Sequence, residues 1–189
     1  SNAMHGVINV LSKAPTETSS NSLAVEAGPF DYYRAKYSHG NTVGKHGISI
    51  ALNGTSDGGY KDDSGYDQQK ATLRHDYEGD LWQIVSALDV TNLNQETAGF
   101  IRGYEAYKDS DLKKSNPNPE AYRDARSLRL YSSASRQLDD WNLLTITPYY
   151  RDNKMEFLQH FLPWQPVEKN GHRSAGIRGS IHTDAGAWH

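Results

Sequence analysis

The residues best equipped to hold a ligand gather in two polar stretches. Arg102 and Arg123 bracket Tyr104, Tyr107 and Tyr122 in the first, beside Phe100, while Phe157, His160, Phe161 and Trp164 occupy the second. A guanidinium offers planar, charge-assisted contacts to an anion, and aromatic rings can stack on a flat ligand. Arg102, Tyr104, Tyr107, Tyr122, Arg123 and Trp164 are therefore the candidate ligand-binding residues. The competing reading has the same aromatics packing loops together or forming a girdle at a membrane interface.

Other chemistry is poorly supplied. Asp57, Asp62, Asp63 and Asp67 in "DGGYKDDSGYD" are hard oxygen donors of the kind calcium takes, but their spacing is not that of an EF-hand loop, and Asp and Gly are ordinary turn formers. The eight histidines include no pair four residues apart, and cysteine is absent, so zinc motifs and disulfides are missing. No nucleophile elbow and no phosphate-cradling loop is present. Catalysis is not expected, and neither a cofactor nor a bound metal is called for. A net charge of -3 gives no basic footprint for nucleic acid.

The elements that would carry these residues read as strands. Only 36% of the residues are hydrophobic, yet 12 are Tyr and 16 are Gly, which suits a β protein with one wet face better than disorder. Alternation of period two recurs through Leu23–Val25–Ala27, Tyr33–Ala35–Tyr37, Ile48–Ile50–Leu52 and Ala71–Leu73–His75–Tyr77. It continues through Trp82–Ile84–Leu88–Val90, Leu128–Leu130–Ala134–Leu138, residues 141–151 and Ala175–Ile177. Eight strands follow a polar linker, "TETSSNS", and a short helical turn is expected near "NPEAYRDA", where Pro119 suits a helix start.

Beyond the first hairpin, short and long connections alternate: "GNTVGKHG", "EGD" and "DD" against residues 54–67, 94–126 and 153–171. In an up-and-down meander every second connection lies at the same end, so the long loops share one rim and the tight turns the other. Transmembrane β-barrels have that asymmetry, with strands apolar outside and polar inside. A soluble antiparallel sandwich or barrel shows the same alternation and remains open on these grounds.

The stretch "HGVINVLSKAP", residues 5–15, resembles the segment that closes the plug domain of TonB-dependent outer-membrane receptors. Gly6, Ile8, Asn9, Val10, Ser12, Lys13 and Pro15 fill the family's Gly-x-Ile-Asn-Val-x-(Ser/Thr)-Lys-x-Pro pattern. "VEAGPFDYYRAKYSHG" is similar to its first barrel hairpin, and "DGGYKDDSGYDQQKATLRHDY" to its second. Ser1-Asn2-Ala3 reads as a tag remnant at 1–3, and the resemblance implies the end of a plug at 4–15, a linker at 16–22, and from 23 to 189 the first part of a barrel of 22 strands. It also implies a parent in the bacterial outer membrane that takes up a scarce ligand, such as a ferric siderophore or another iron complex. Energy would come from the TonB protein, contacted through a segment upstream of this sequence. The alternative is a soluble all-β binding module, for example for glycans.

A part-barrel leaves two unpaired strand edges and an apolar face made for lipid. The expectation is a fragment that curls into a smaller closed or sandwich-like sheet, or pairs with a second copy edge to edge.

Overall fold

The computed structural model describes residues 12–17 and 21–184. The tag remnant and most of the plug-like stretch, residues 1–11, lie outside the described residues. One antiparallel sheet of eight strands in sequence order contains β1 (Ser22–Gly28), β2 (Tyr32–Val43), β3 (His46–Asp57), β4 (Tyr66–Glu78), β5 (Gln83–Glu96), β6 (Tyr122–Gln137), β7 (Asn142–Leu158) and β8 (Val167–Thr183). Among the described residues the sheet is open: β1 pairs only with β2 and β8 only with β7. The expected closed or sandwich-like rearrangement is thus corrected, because the register runs one way from β1 to β8 and the described residues form no second layer.

Register turns eight separate alternations into two faces. Ile50, Leu73, Leu88, Leu130, Tyr150 and Ala175 are successive partners across β3 to β8. The neighbouring row, one residue along, reads Ala51, Thr72, Asp89, Arg129, Arg151 and Ser174. Paired residues share a face and adjacent residues take opposite ones, so the first row marks an apolar face and the second a polar one. Every exposed large hydrophobic that lies in a strand, from Leu23 and Val25 to Ile177 and Ile181, is on the apolar face. The buried strand residues Gly40, Gly47, Ser49, Thr55, Ala87 and Thr147 are all on the polar face. Side chains converge on the inside of a bent sheet and splay on its outside, so the polar face is the inner one.

The height of the apolar face is set by charge. On β6 the outward positions are charged at Arg126 and Arg136 and uncharged between them, a run of nine residues from 127 to 135. At ~3.3 Å per residue this is about 30 Å along the strand, or roughly 23 Å once tilted by about 40°. That is close to the apolar band of ~25 Å on a transmembrane barrel. At the lower edge Arg136 lies 5.7 Å from the Trp82 ring centroid, an aromatic-cation pair of the sort found at interfaces.

The two rims differ as the connection lengths require. One carries the tight turns 44–45, 79–82 and 138–141; the other carries the short 29–31 and the loops 58–65, 97–121 and 159–166. Gly44 has φ +59°, the left-handed geometry that lets a two-residue turn match the strand twist. Several expectations need correction, among them the loop 54–67, which shrinks to 58–65. The turn "GNTVGKHG" shrinks to Gly44–Lys45, the loop 153–171 to 159–166, and the loop 94–126 to 97–121. Polar and charged residues dominate these strand ends, as at Asn153 opposite His172 and Glu156 opposite Lys169, and two apolar ones in β7, Met155 and Phe157, have the parity opposite to Leu144 and Ile146, so the outward apolar period breaks off before the strand does. The helical turn placed near Pro119 is a single turn, Asn118 to Ala121, with strand from Tyr122. The short 3-10 helix of this loop is Ala106–Lys108 instead.

Candidate functional site

Residues 12–17 lie on the polar face. Pro15 is buried, and a Cβ added to Gly47 would meet its Cβ and Cγ at 3.0 Å. Arg74, on the polar face of β4, donates through Nη1 to the Ser12 carbonyl, while its Nε and Nη2 reach Asp76 Oδ1 and Oδ2 at 2.7 and 2.8 Å. The segment that precedes the sheet therefore enters against its inner wall, opposite the apolar band.

Above that wall the rim loops are tied together. Asp62 N–H donates to the Lys114 carbonyl at 2.8 Å, Asn116 Nδ2 to the Asp63 carbonyl at 2.8 Å and Lys61 Nζ to the Gly99 carbonyl at 2.6 Å. Gln165 Nε2 reaches Glu120, joining loops 97–121 and 159–166. Between these two loops sits a cavity of about 450 Å³ lined by Phe100, Arg102, Leu112, Asn118, His160 and Phe161 among others. Arg102 stands 5.5 Å from the Phe100 ring centroid, and His160 meets Phe161 edge to face at 5.6 Å. His160 Nδ1 is buried with no hydrogen-bond partner, a group that a ligand atom could satisfy.

The six candidate ligand residues do not form one site. Arg102 lines the rim cavity. Tyr104 and Trp164 project into solvent at 96% and 97% exposure, and Tyr107 is also exposed, beside Lys108. Trp164 does so from a left-handed backbone, φ 63°, a geometry that costs a bulky residue about 1–2 kcal/mol. Tyr122 and Arg123 are neighbours in β6 and so point to opposite faces. Tyr122 faces outward and donates to Glu156 Oε1 at 2.9 Å, whereas Arg123 faces inward opposite Phe157. Neither a family model nor a curated protein matches this chain.

The acidic stretch does not converge either. Asp57 pairs with Tyr66 and Asp67 with Ser56, which puts the two carboxylates on opposite faces. Asp57 Oδ1 is engaged by the Gly59 N–H at 2.8 Å. Among the described residues no three His, Asp or Glu side chains gather as a metal would need.

The inner wall of β6 to β8 carries a feature that reading for loops overlooks. Arg123, Arg129, Arg151 and Arg178 all face inward, and none is ion-paired among the described residues. Arg129 and Arg151 are direct cross-strand partners, an arrangement that repels unless an anion or water lies between. The signal was present in the sequence: in "SLRLY", Arg129 alternates with Leu128 and Leu130. Once the leucines are placed outside, the arginine must be inside.

In the loops, carboxylates serve structure. Asp109 is held below the usual aspartate range by the backbone N–H groups of Leu112 and Asp111, and Asp139 by the Asn142 side chain and then the Trp141 N–H.

Proposed function

We propose that the chain is part of a TonB-dependent outer-membrane receptor: the end of a plug domain followed by the first eight strands of a 22-stranded barrel. The observation that carries the reading is the placement of residues 12–17 on the inner polar face while the opposite face bears a bare apolar band. A plug must lie inside its barrel, and a barrel must show lipid its apolar side. A soluble sheet buries that side instead. The free edges of β1 and β8 pair with further strands of the parent protein, since open edges are not tolerated in hydrocarbon.

On this reading the parent takes up a scarce ligand, a ferric siderophore or another iron complex, with energy from the TonB protein. The rim cavity at Phe100, Arg102 and His160 makes first contact, with Tyr104, Tyr107 and Trp164 exposed around it. Arg123 and the Arg129–Arg151 pair offer an anionic chelate its next contacts inward. Tyr122, facing outward, serves the sheet through Glu156.

The test uses the full-length protein in its own cells. Membrane fractionation places it with the outer membrane, and uptake of radiolabelled ferric chelates drops when its gene is deleted or TonB is absent. Recovery in the soluble fraction, with iron uptake unchanged on deletion, would overturn the reading and favour the glycan-binding alternative. Arg102→Ala with Arg123→Ala lowers chelate affinity about tenfold, as expected for loss of charge-assisted bonds; unchanged affinity removes these two residues from the site.

A further inference from the structure

We propose that Arg74, Asp76 and Gly47 form a fixed seat that clamps the segment Ser12–Glu17 to the inner wall, so that any movement of the upstream chain stops at Ser12. The inference rests on the receptor reading only for its purpose; the seat itself stands on three contacts of different kinds.

The first contact is the fork. Asp76 takes two of the guanidinium's nitrogens, Nε and Nη2, leaving Nη1 directed at the Ser12 carbonyl, with Ser12 Oγ a further 3.4 Å contact. Asp76 is thus a positioning residue: it fixes the plane of Arg74, and Arg74 holds the segment. Both side chains are largely shielded, at 14% and 19% exposure, where a charge-assisted bond is screened little by salt.

The second contact is steric. Gly47 provides the notch in which Pro15 sits, and a Cβ there would crowd the Pro15 ring at 3.0 Å, so the ring would have to give by a few tenths of an ångström. The third is internal to the segment: Glu17 Oε2 accepts the Ala14 N–H at 3.2 Å, and the Glu17 N–H donates to the Ala14 carbonyl at 3.0 Å. The segment is a closed turn with Pro15 at its base, a shape that docks as a unit. The fork and the notch belong to strands β4 and β3, so the seat is part of the wall and cannot move with what it holds.

The consequence is mechanical. A pull on the chain upstream of Ser12 meets the Arg74 fork first, and the strands downstream are shielded from it. An unclamped segment would pass the pull to the linker and to β1, the first strand after it.

Tryptic cleavage of the full chain in detergent micelles tests this. The segment contains one tryptic bond, Lys13–Ala14, and loop 97–121 contains an internal reference at Lys113 and Lys114. The ratio of the two cleavage rates reports the segment independently of protease activity. In the unaltered chain the Lys13 bond is cut slowly relative to the reference. Arg74→Ala raises the ratio about tenfold, and Asp76→Asn raises it less, because the guanidinium remains but loses its orientation.

Gly47→Ala raises the ratio by less than Arg74→Ala does, by crowding Pro15 in the notch while leaving the fork intact, and it places a better strand former in β3. Gly54→Ala, in the same strand with nothing within 4 Å of the added Cβ, leaves the ratio unchanged. A fast Lys13 cut in the unaltered chain overturns the proposal, as does a ratio indifferent to both Arg74→Ala and Gly47→Ala. Should Arg74→Ala unfold the sheet, seen as cleavage after Lys70 in β4, Gly47→Ala decides alone. None of these outcomes depends on where the parent protein resides or what it carries, so the seat and the receptor reading fail separately.

Discussion

The two faces of this sheet are built from alternate residues of the same eight strands and follow opposite rules. On the inner face hydrogen-bonded side-chain pairs recur, Arg34 with Asn53, Thr72 with Asp89, Ser133 with Thr147 and Ser135 with Thr145, beside the four arginines without ion pairs among the described residues. The outer face leaves Leu23, Val25, Ile177 and Ile181 each more than 60% exposed. A sheet that folds for water hides its apolar side and wets the other. Here the side that is covered is the polar one, and this inversion is what makes lipid the fitting solvent for the bare face.

The largest effect should come from violating that division at one depth. Leu130→Arg places a guanidinium in the apolar band beside the native Arg129, which faces inward. In a phospholipid bilayer Leu130→Arg should cost about 2–4 kcal/mol of folding free energy. Arg129→Leu should stay within roughly 1 kcal/mol in either direction, because the repulsion with Arg151 that it removes is offset by the loss of the cross-strand attraction to Asp89. Denaturant unfolding of both variants in bilayers reads the contrast, and equal costs would erase the distinction between the faces.

That contrast also explains what the sequence made legible. Strand number, the antiparallel meander and the asymmetry of the rims follow from alternation and spacing, because Ile48–Ile50–Leu52 and Leu128–Leu130 are spaced by strand geometry alone. The strand ends near Asn153 and Asp124 were hidden, since charged residues interrupt the outward apolar period there and Met155 and Phe157 take the opposite parity. The candidate site was legible only as a set of residue types. Arg102 and His160 meet because two loops far apart in sequence meet, whereas Tyr122 and Arg123, adjacent in sequence, are separated by the pleat. The inner arginines needed no structure, only the decision as to which parity faces out.

A smaller effect is expected at the lower edge of the band. Arg136 lies on the outer face at the turn rim, over Trp82, and its Nε is buried without a partner. A cation held against an indole at an interface contributes about 0.5–1 kcal/mol. Trp82→Ala should remove about that much in bilayers, and Trp82→Phe should restore part of it. A loss that is the same in detergent of any chain length as in bilayers would indicate packing alone and detach the pair from the membrane boundary.

The smallest effect concerns the turn that keeps the faces in register. Because side chains alternate with period two, a slip of one residue between β6 and β7 would move Leu144 and Ile146 from the outer face to the inner. Asp139 guards against it: its carboxylate accepts the Trp141 N–H, the Asn142 N–H and the Asn142 side-chain amide, each at 2.9 Å. These bonds favour the charged form and lower its pKa in the folded state, the Asn142 side chain most. The stabilisation is therefore complete above the unfolded aspartate value near ~3.9 and is lost as pH falls through the lower folded value. The gap in unfolding midpoint between the unaltered chain and Asp139→Asn should be present at pH 7 and close below about pH 4. A gap that persists unchanged to pH 3 would mean that the turn is held by its shape rather than by the carboxylate charge, and the register of the two faces would then rest on the ladder alone.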